Sequence, residues 1–188
     1  MEAFFEAFIN CEHVVLGKKL LPFSLRHCLF LEAMDSPYMK VLNGIESEIT
    51  SRDLELAVLV CSAKCDILTA LSKANYIQNW YIKFHSFKSA STKFLSYLSD
   101  YVSVPELWEN GESEVVLNSP WILSKATLLL SKTSMTLDKI WNMPLGELLW
   151  YCAAFAEQEG VAQIQSDDEK SAIDEIIKQR ENDGESNG

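Results

Sequence analysis

The residues of this chain that are best suited to chemistry are its five cysteines and three histidines. Cys61 and Cys65 are four positions apart, so both thiols would lie on one face of a helix and could reach a single ion. A structural zinc ion needs about four ligands, and no second pair has a suitable spacing. Two other close pairs are isolated: Cys11 with His13, and His27 with Cys28. We therefore predict no metal site and expect buried thiols.

Nucleophilic catalysis is the second chemistry that these residue types allow, because a cysteine beside a histidine can form a dyad. The sequence has no Gly-x-Ser-x-Gly elbow and no context typical of a cysteine protease. With only seven glycines it also has no phosphate-binding loop. We predict no catalytic residue, no cofactor and no enzymatic activity. For His27 we expect a structural role, in which its ring hydrogen-bonds a backbone carbonyl or a neighbouring side chain.

Composition favours a folded, acidic protein without a nucleic-acid or membrane role. Hydrophobic residues make up 48% of the 188 positions and charged residues 23%, which is enough for a sizeable core. The formal net charge of -11 repels phosphate backbones, so we expect no nucleic-acid partner. No apolar run approaches the roughly 18 residues of a membrane span, and the first residues lack a basic signal region. We expect a cytoplasmic protein.

Hydrophobic periodicity predicts an all-α protein with a single compact multi-helix domain over residues 1–163. Ser24 is the expected N-cap of a helix whose buried face includes Leu25, Cys28, Leu29 and Leu31, and which ends before Pro37. Further helices are predicted at residues 1–11, 54–71, 119–131 and 145–159. One long or two short helices are expected at residues 73–101, and a short turn at residues 136–141. Residues 104–118 have a loop-like composition, with at most a short helix near Leu107 and Trp108, and residues 115–117 are the best strand candidate.

The remaining residues, 164–188, form a predicted acidic tail. From residue 166 onward there are eight acidic residues and three basic ones. Ser166 and Glu169 have the spacing of a capping box, and an isoleucine stripe follows on one side of the predicted helix. We expect an acidic C-terminal helix and then a disordered end. The helix could keep the protein soluble or dock into a partner groove.

Two apolar stripes are the candidate partner-binding surfaces. The first lies among the aromatic residues between Tyr76 and Tyr97, where the alternative is an ordinary place in the core. The second is the isoleucine stripe of the tail. The candidate residues are Trp80, Phe84, Phe87, Ile173, Ile176 and Ile177.

Three segments resemble small helical proteins encoded in the tail-gene clusters of tailed phages and prophages. The first is Leu-Pro-Phe-Ser-Leu-Arg-His at residues 21–27, followed by Ser-Pro-Tyr at residues 36–38. The second is Arg-Asp-Leu-Glu-Leu-Ala-Val-Leu-Val-Cys-Ser at residues 52–62. The third is Trp-Asn-Met-Pro-Leu-Gly at residues 141–146, with Glu-Gln-Glu-Gly at residues 157–160. The resemblance covers about half of the chain and consists of core and turn residues.

This resemblance implies a tail assembly chaperone, or a closely associated morphogenesis protein. Such proteins bind the long tape-measure protein during virion assembly and keep its hydrophobic helices soluble. The implied partner is thus a long helical tail protein, and no catalytic residues are carried over. Two alternatives remain: a structural tail or baseplate component retained in the virion, and a small enzyme that uses Cys and His.

Overall fold

The computed structural model describes residue 8 and residues 12–62, 86–102, 104–109, 118–166, 168–173 and 175–177. Its fold is mostly helical, as predicted, but the expectation of an all-α protein misses two small antiparallel sheets. The helices are α1 (Leu25–Ala33), α2 (Pro37–Leu42), α3 (Ser51–Ser62), α4 (Phe87–Tyr101), α5 (Trp121–Lys132), α6 (Leu137–Asn142) and α7 (Leu145–Gln158). The strands are β1 (Val14–Val15), β2 (Lys18–Lys19), β3 (Leu107–Glu109) and β4 (Ala162–Ile164).

The two sheets are short and lie outside the helical core elements. Leu16 and Gly17 form the tip of the β1–β2 hairpin, and both have positive φ, as a type I′ hairpin turn requires. Leu107 and Trp108 belong to strand β3, which pairs with β4, so the prediction of a short helix there is wrong. The candidate strand at residues 115–117 lies outside the described residues.

Helix starts follow the capping signals of the sequence closely. The Thr50 backbone N–H donates to Asp53 Oδ2 (2.8 Å) in front of α3, and the hydroxyl of Thr136 accepts from the Lys139 N–H at the start of α6. Helices α5 and α7 each begin directly after a proline, at Pro120 and Pro144. The Ser36–Pro37 pair, which was predicted only to end a helix, also begins one. Ser36 precedes α2 and Pro37 is its first residue.

One buried aromatic cluster joins the helices of the N-terminal half. The Tyr38 and Phe94 rings meet edge to face with their centroids 4.7 Å apart, and Tyr97 lies 5.4 Å from Phe94 and 5.9 Å from Phe23. All four residues are completely buried. The cluster holds α2 and α4 against the segment that leads into α1.

The C-terminal helices α5, α6 and α7 join the same core. The Leu145 N–H donates to the Phe23 carbonyl (2.7 Å), and Arg26 on α1 pairs with Asp138 on α6 at 2.9 Å. Helix α1 buries Leu25, His27, Cys28 and Leu31. Leu29, which was predicted to lie on that buried face, is instead 38% exposed, because the face turned to the core is narrower than the run of apolar residues.

The acidic tail begins as a helix. The Ser166 N–H donates to Glu169 Oε2 (2.8 Å) and the Glu169 N–H donates to Ser166 Oγ (3.3 Å), so the predicted capping box is confirmed. Residues 168–173 and 175–177 are helical. Strand β4 spans the predicted boundary between residues 163 and 164, and the predicted disordered end lies outside the described residues. No helix in the described ranges is long and apolar enough to cross a membrane.

Candidate functional site

Ser24 and His27 are the pair that most resembles a catalytic arrangement. Ser24 Oγ lies 3.2 Å from His27 Nδ1, the distance expected between a nucleophile and its general base. The same nitrogen, however, accepts the Ser24 backbone N–H at 3.1 Å, so His27 takes the place that Glu or Gln has in a capping box. Both residues are buried. The geometry is that of a buried capping box at the N-terminus of α1.

The electrostatics of His27 agree with this structural role. Burial lowers the pKa of His27 to about 4; a backbone hydrogen bond with Pro22 acts in the opposite direction, and the positive charge of Arg26 adds to the lowering. The ring is also stacked on Phe23, with centroids 6.2 Å apart. The neutral imidazole thus stabilises the turn into α1. This agrees with the prediction that the His27 ring hydrogen-bonds a backbone carbonyl or a neighbouring side chain.

The described cysteines are poor nucleophiles. Cys28, Cys61 and Cys152 are buried in the core. Burial raises the pKa of Cys28 to about 12 and raises that of Cys152, so both thiols stay protonated at neutral pH. The remaining cysteines, Cys11 and Cys65, lie outside the described residues. Within the described part of the chain, no group of three or more Cys, His, Asp and Glu side chains could hold a metal ion.

The candidate site is a surface on the outward side of α5. This helix turns Ile122, Ala126 and Leu129 into the core. A groove of about 760 Å³ follows its other side. The described residues that line this α5 groove are Ser119, Trp121, Leu123, Ser124, Lys125, Thr127, Leu128 and Ser131.

Large apolar side chains are exposed on and beside the α5 groove. Leu123 is 50% exposed, while Trp121 and Leu130 are each 41% exposed. The Trp121 indole is held in place, because its Nε1–H donates to Glu32 Oε1 on α1 at 3.0 Å. A fixed aromatic side chain loses little entropy when a partner covers it. Trp121 is thus suited to anchor a bound segment.

The polar residues of the groove bond mainly to one another and to their own helix. Ser119 Oγ and Ser124 Oγ are 2.6 Å apart, and the Ser131 hydroxyl donates to the Leu128 carbonyl at 2.8 Å. Helix α5 contains Lys125 and Lys132 but no acidic residue, although the whole chain has a net charge of -11. Lys132 pairs with Glu159 on α7, whereas Lys125 lines the groove. The groove is apolar with a local positive charge, and so it suits an apolar helix with acidic flanks.

The structure describes four of the six partner-binding residues that the sequence proposed. Phe87 begins α4 and is half-buried against the core. Ile173 is half-buried, while Ile176 and Ile177 on the tail helix are 51% and 48% exposed. Trp80 and Phe84 lie outside the described residues. For all six, partner binding stays a prediction.

Sequence analysis missed the α5 groove, although one signal was available. Seven of the twelve α5 residues are apolar, which is more than Ile122, Ala126 and Leu129 on the buried side account for. A surface helix that only covers a core needs a single apolar stripe. Its exposed Leu123 and Leu130 could therefore have been recognised as residues that await a partner.

The chain matches no protein-family model, and neither a curated protein nor a solved structure shows significant similarity to it.

Proposed function

We propose that this chain is a binding protein of phage tail morphogenesis, which holds the hydrophobic helices of a tape-measure protein soluble in the host cytoplasm during assembly. The exposed apolar groove on α5 is the observation that carries the proposal. The groove is the right kind of site for one face of an amphipathic helix, which would insert apolar side chains every three or four residues.

Two further features support this choice of function. The three segments that resemble phage tail-cluster proteins include the turns at residues 21–27 and 141–146, which meet where the Leu145 N–H bonds to the Phe23 carbonyl. The large negative charge would also keep a complex with an apolar client dispersed. A holding protein needs no reactive group, and the buried thiols and neutral His27 described above fit that requirement.

Co-expression with the long helical tail protein of the same gene cluster tests the proposal. We expect the tail protein to become soluble and to co-purify with the chain. Leu123→Gln should weaken the complex, because a buried leucine side chain contributes about 1.5–3 kcal/mol, which is roughly a ten- to hundredfold change in Kd.

Leu137→Gln is the matched control. Leu137 on α6 is 49% exposed, almost the same as Leu123, but it does not belong to the described lining of the α5 groove. Its substitution should leave the complex intact. Equal losses with both variants would assign binding to general surface hydrophobicity, and an insoluble tail protein without a complex would remove the proposal. Detection of the chain in purified virions by mass spectrometry would favour a structural tail component instead.

A further inference from the structure

We propose that the α5 groove also binds the C-terminal helix of a second copy of this chain, so that the protein self-associates through its tail. The inference concerns the groove used in the proposed function, but it does not require a client protein. It starts from two exposed apolar surfaces that the structure shows on one chain: a groove on α5 and a narrow isoleucine stripe on the tail helix.

The tail helix has an apolar side that its own domain leaves half uncovered. Ser166 and Glu169 cap the helix, and Lys170 Nζ lies 3.8 Å from Glu106 Oε2, so its first turn stays beside strand β3. One turn later, Ile176 and Ile177 are about half exposed. A short helix is only marginally stable in water without tertiary packing. Docking of this stripe would supply that packing.

The charges of the tail and of the groove are opposite in sign. The chain from residue 166 onward has eight acidic residues and three basic ones, a net charge of -5. Helix α5 has no acidic residue, and of its two lysines Lys132 pairs with Glu159 whereas Lys125 lines the groove. An acidic helix with an apolar stripe therefore matches both properties of the groove, the exposed Trp121 and Leu123 side chains and the Lys125 ammonium group. The tail of a second copy has these properties and is present wherever the chain itself is present.

Self-association would place the tail and a client helix in competition. At low client concentration the tail of a neighbouring copy would cover Trp121 and Leu123, and this would protect the apolar surface from aggregation. A client with a longer apolar face would displace the tail. The tail would thus act as a weak competitor of the client for the α5 groove.

Sedimentation velocity of the full chain tests the proposal over a roughly hundredfold concentration range. We expect the wild-type sedimentation coefficient to rise with concentration. Leu123→Gln in the groove and the double variant Ile176→Gln, Ile177→Gln in the tail should each stay monomeric at concentrations where wild type associates. Leu137→Gln should behave like wild type. A wild type that remains monomeric throughout would overturn the proposal.

Mixing the two defective variants gives the sharper result. The groove variant has an intact tail and the tail variant has an intact groove, so an equal mixture can form one complete tail–groove contact. We expect association to return in the mixture, although neither variant associates alone. Continued monomeric behaviour of the mixture would show that the tail and the groove do not bind each other.

A charge variant tests the choice of occupant. Lys125→Glu places a carboxylate in the groove and should weaken the association severalfold at low salt, since it would repel the acidic tail. An unchanged association constant would overturn the assignment of the acidic tail as the occupant. Because co-purification reports the client and sedimentation reports self-association, either proposal can fail while the other stands.

Discussion

Both sides of helix α5 carry large apolar side chains, but their surroundings are opposite. On the inner side Leu129 is completely buried, and Ile122 and Ala126 are nearly so. On the outer side Leu123 is 50% exposed and Leu130 is 41% exposed. Leucine thus serves as a core residue and as a surface residue within two turns of one helix. The difference shows that an apolar residue type does not by itself distinguish the core from a binding surface.

The first prediction compares the same substitution on the two sides. Leu129→Ala should lower the free energy of unfolding by about 2–5 kcal/mol, because it leaves a cavity in the core. Leu123→Ala should change it by no more than about 0.5 kcal/mol, as is usual for exposed positions. Urea denaturation of both variants, followed by circular dichroism, measures the difference. Equal losses of stability would mean that the outer side of α5 is part of the core.

The second prediction concerns His27, a polar residue buried in the same core on helix α1. His27 has a pKa of about 4 in the folded protein and an ordinary value of 6.5 in the unfolded chain. Between these values the unfolded chain binds a proton that the folded protein does not, so stability falls as the pH falls through this window and is unaffected above it. The loss by pH 4 should be roughly 3 kcal/mol.

The variant His27→Gln isolates this contribution. Gln is a usual partner in a capping box and does not titrate. Its free energy of unfolding should therefore decline less between pH 7 and pH 4 than that of wild type. The comparison is needed because Glu55 and Glu147, whose pKa values are raised by burial, contribute in the opposite direction as the pH falls. Parallel pH curves for the two proteins would show that His27 is accessible to protons.

The third prediction removes a single buried hydroxyl group. The Tyr97 hydroxyl donates to the Leu21 carbonyl at 2.8 Å, and burial raises the pKa of Tyr97, so the group stays protonated as a donor. Tyr97→Phe should cost about 1–3 kcal/mol, because it leaves a desolvated carbonyl without this donor. Thermal denaturation measures the loss. A melting temperature equal to that of wild type would indicate that water reaches the Leu21 carbonyl in the variant.

Much of the helical structure could be predicted because its signals are local. Thr50 with Asp53, and Ser166 with Glu169, bond to each other across three residues, so their capping boxes depend only on the adjoining backbone. Gly160 has a φ of 71° at the end of α7, a conformation that glycine adopts without strain. Such features are visible in the sequence because nothing distant is needed to form them.

The predictions that were wrong depend on contacts between distant parts of the chain. Strand β3 exists because Leu107 pairs with Ile164, which is far away in the sequence. Leu29 is exposed because the core contacts of α1 lie on the side of Leu25, Cys28 and Leu31. Neither outcome can be read from a short window, since the pairing partner and the covering helix both come from other parts of the chain.

The sequence by itself determined an acidic, mostly helical protein, the positions of its caps and turns, and the absence of the usual catalytic motifs. Only the tertiary structure decided that Ser24 and His27 are a buried cap, and that the outer side of α5 is an exposed groove. The physical reason is that burial depends on neighbours. The same leucine is stabilising in the core and available for binding on the surface, and packing between distant helices decides which of these applies.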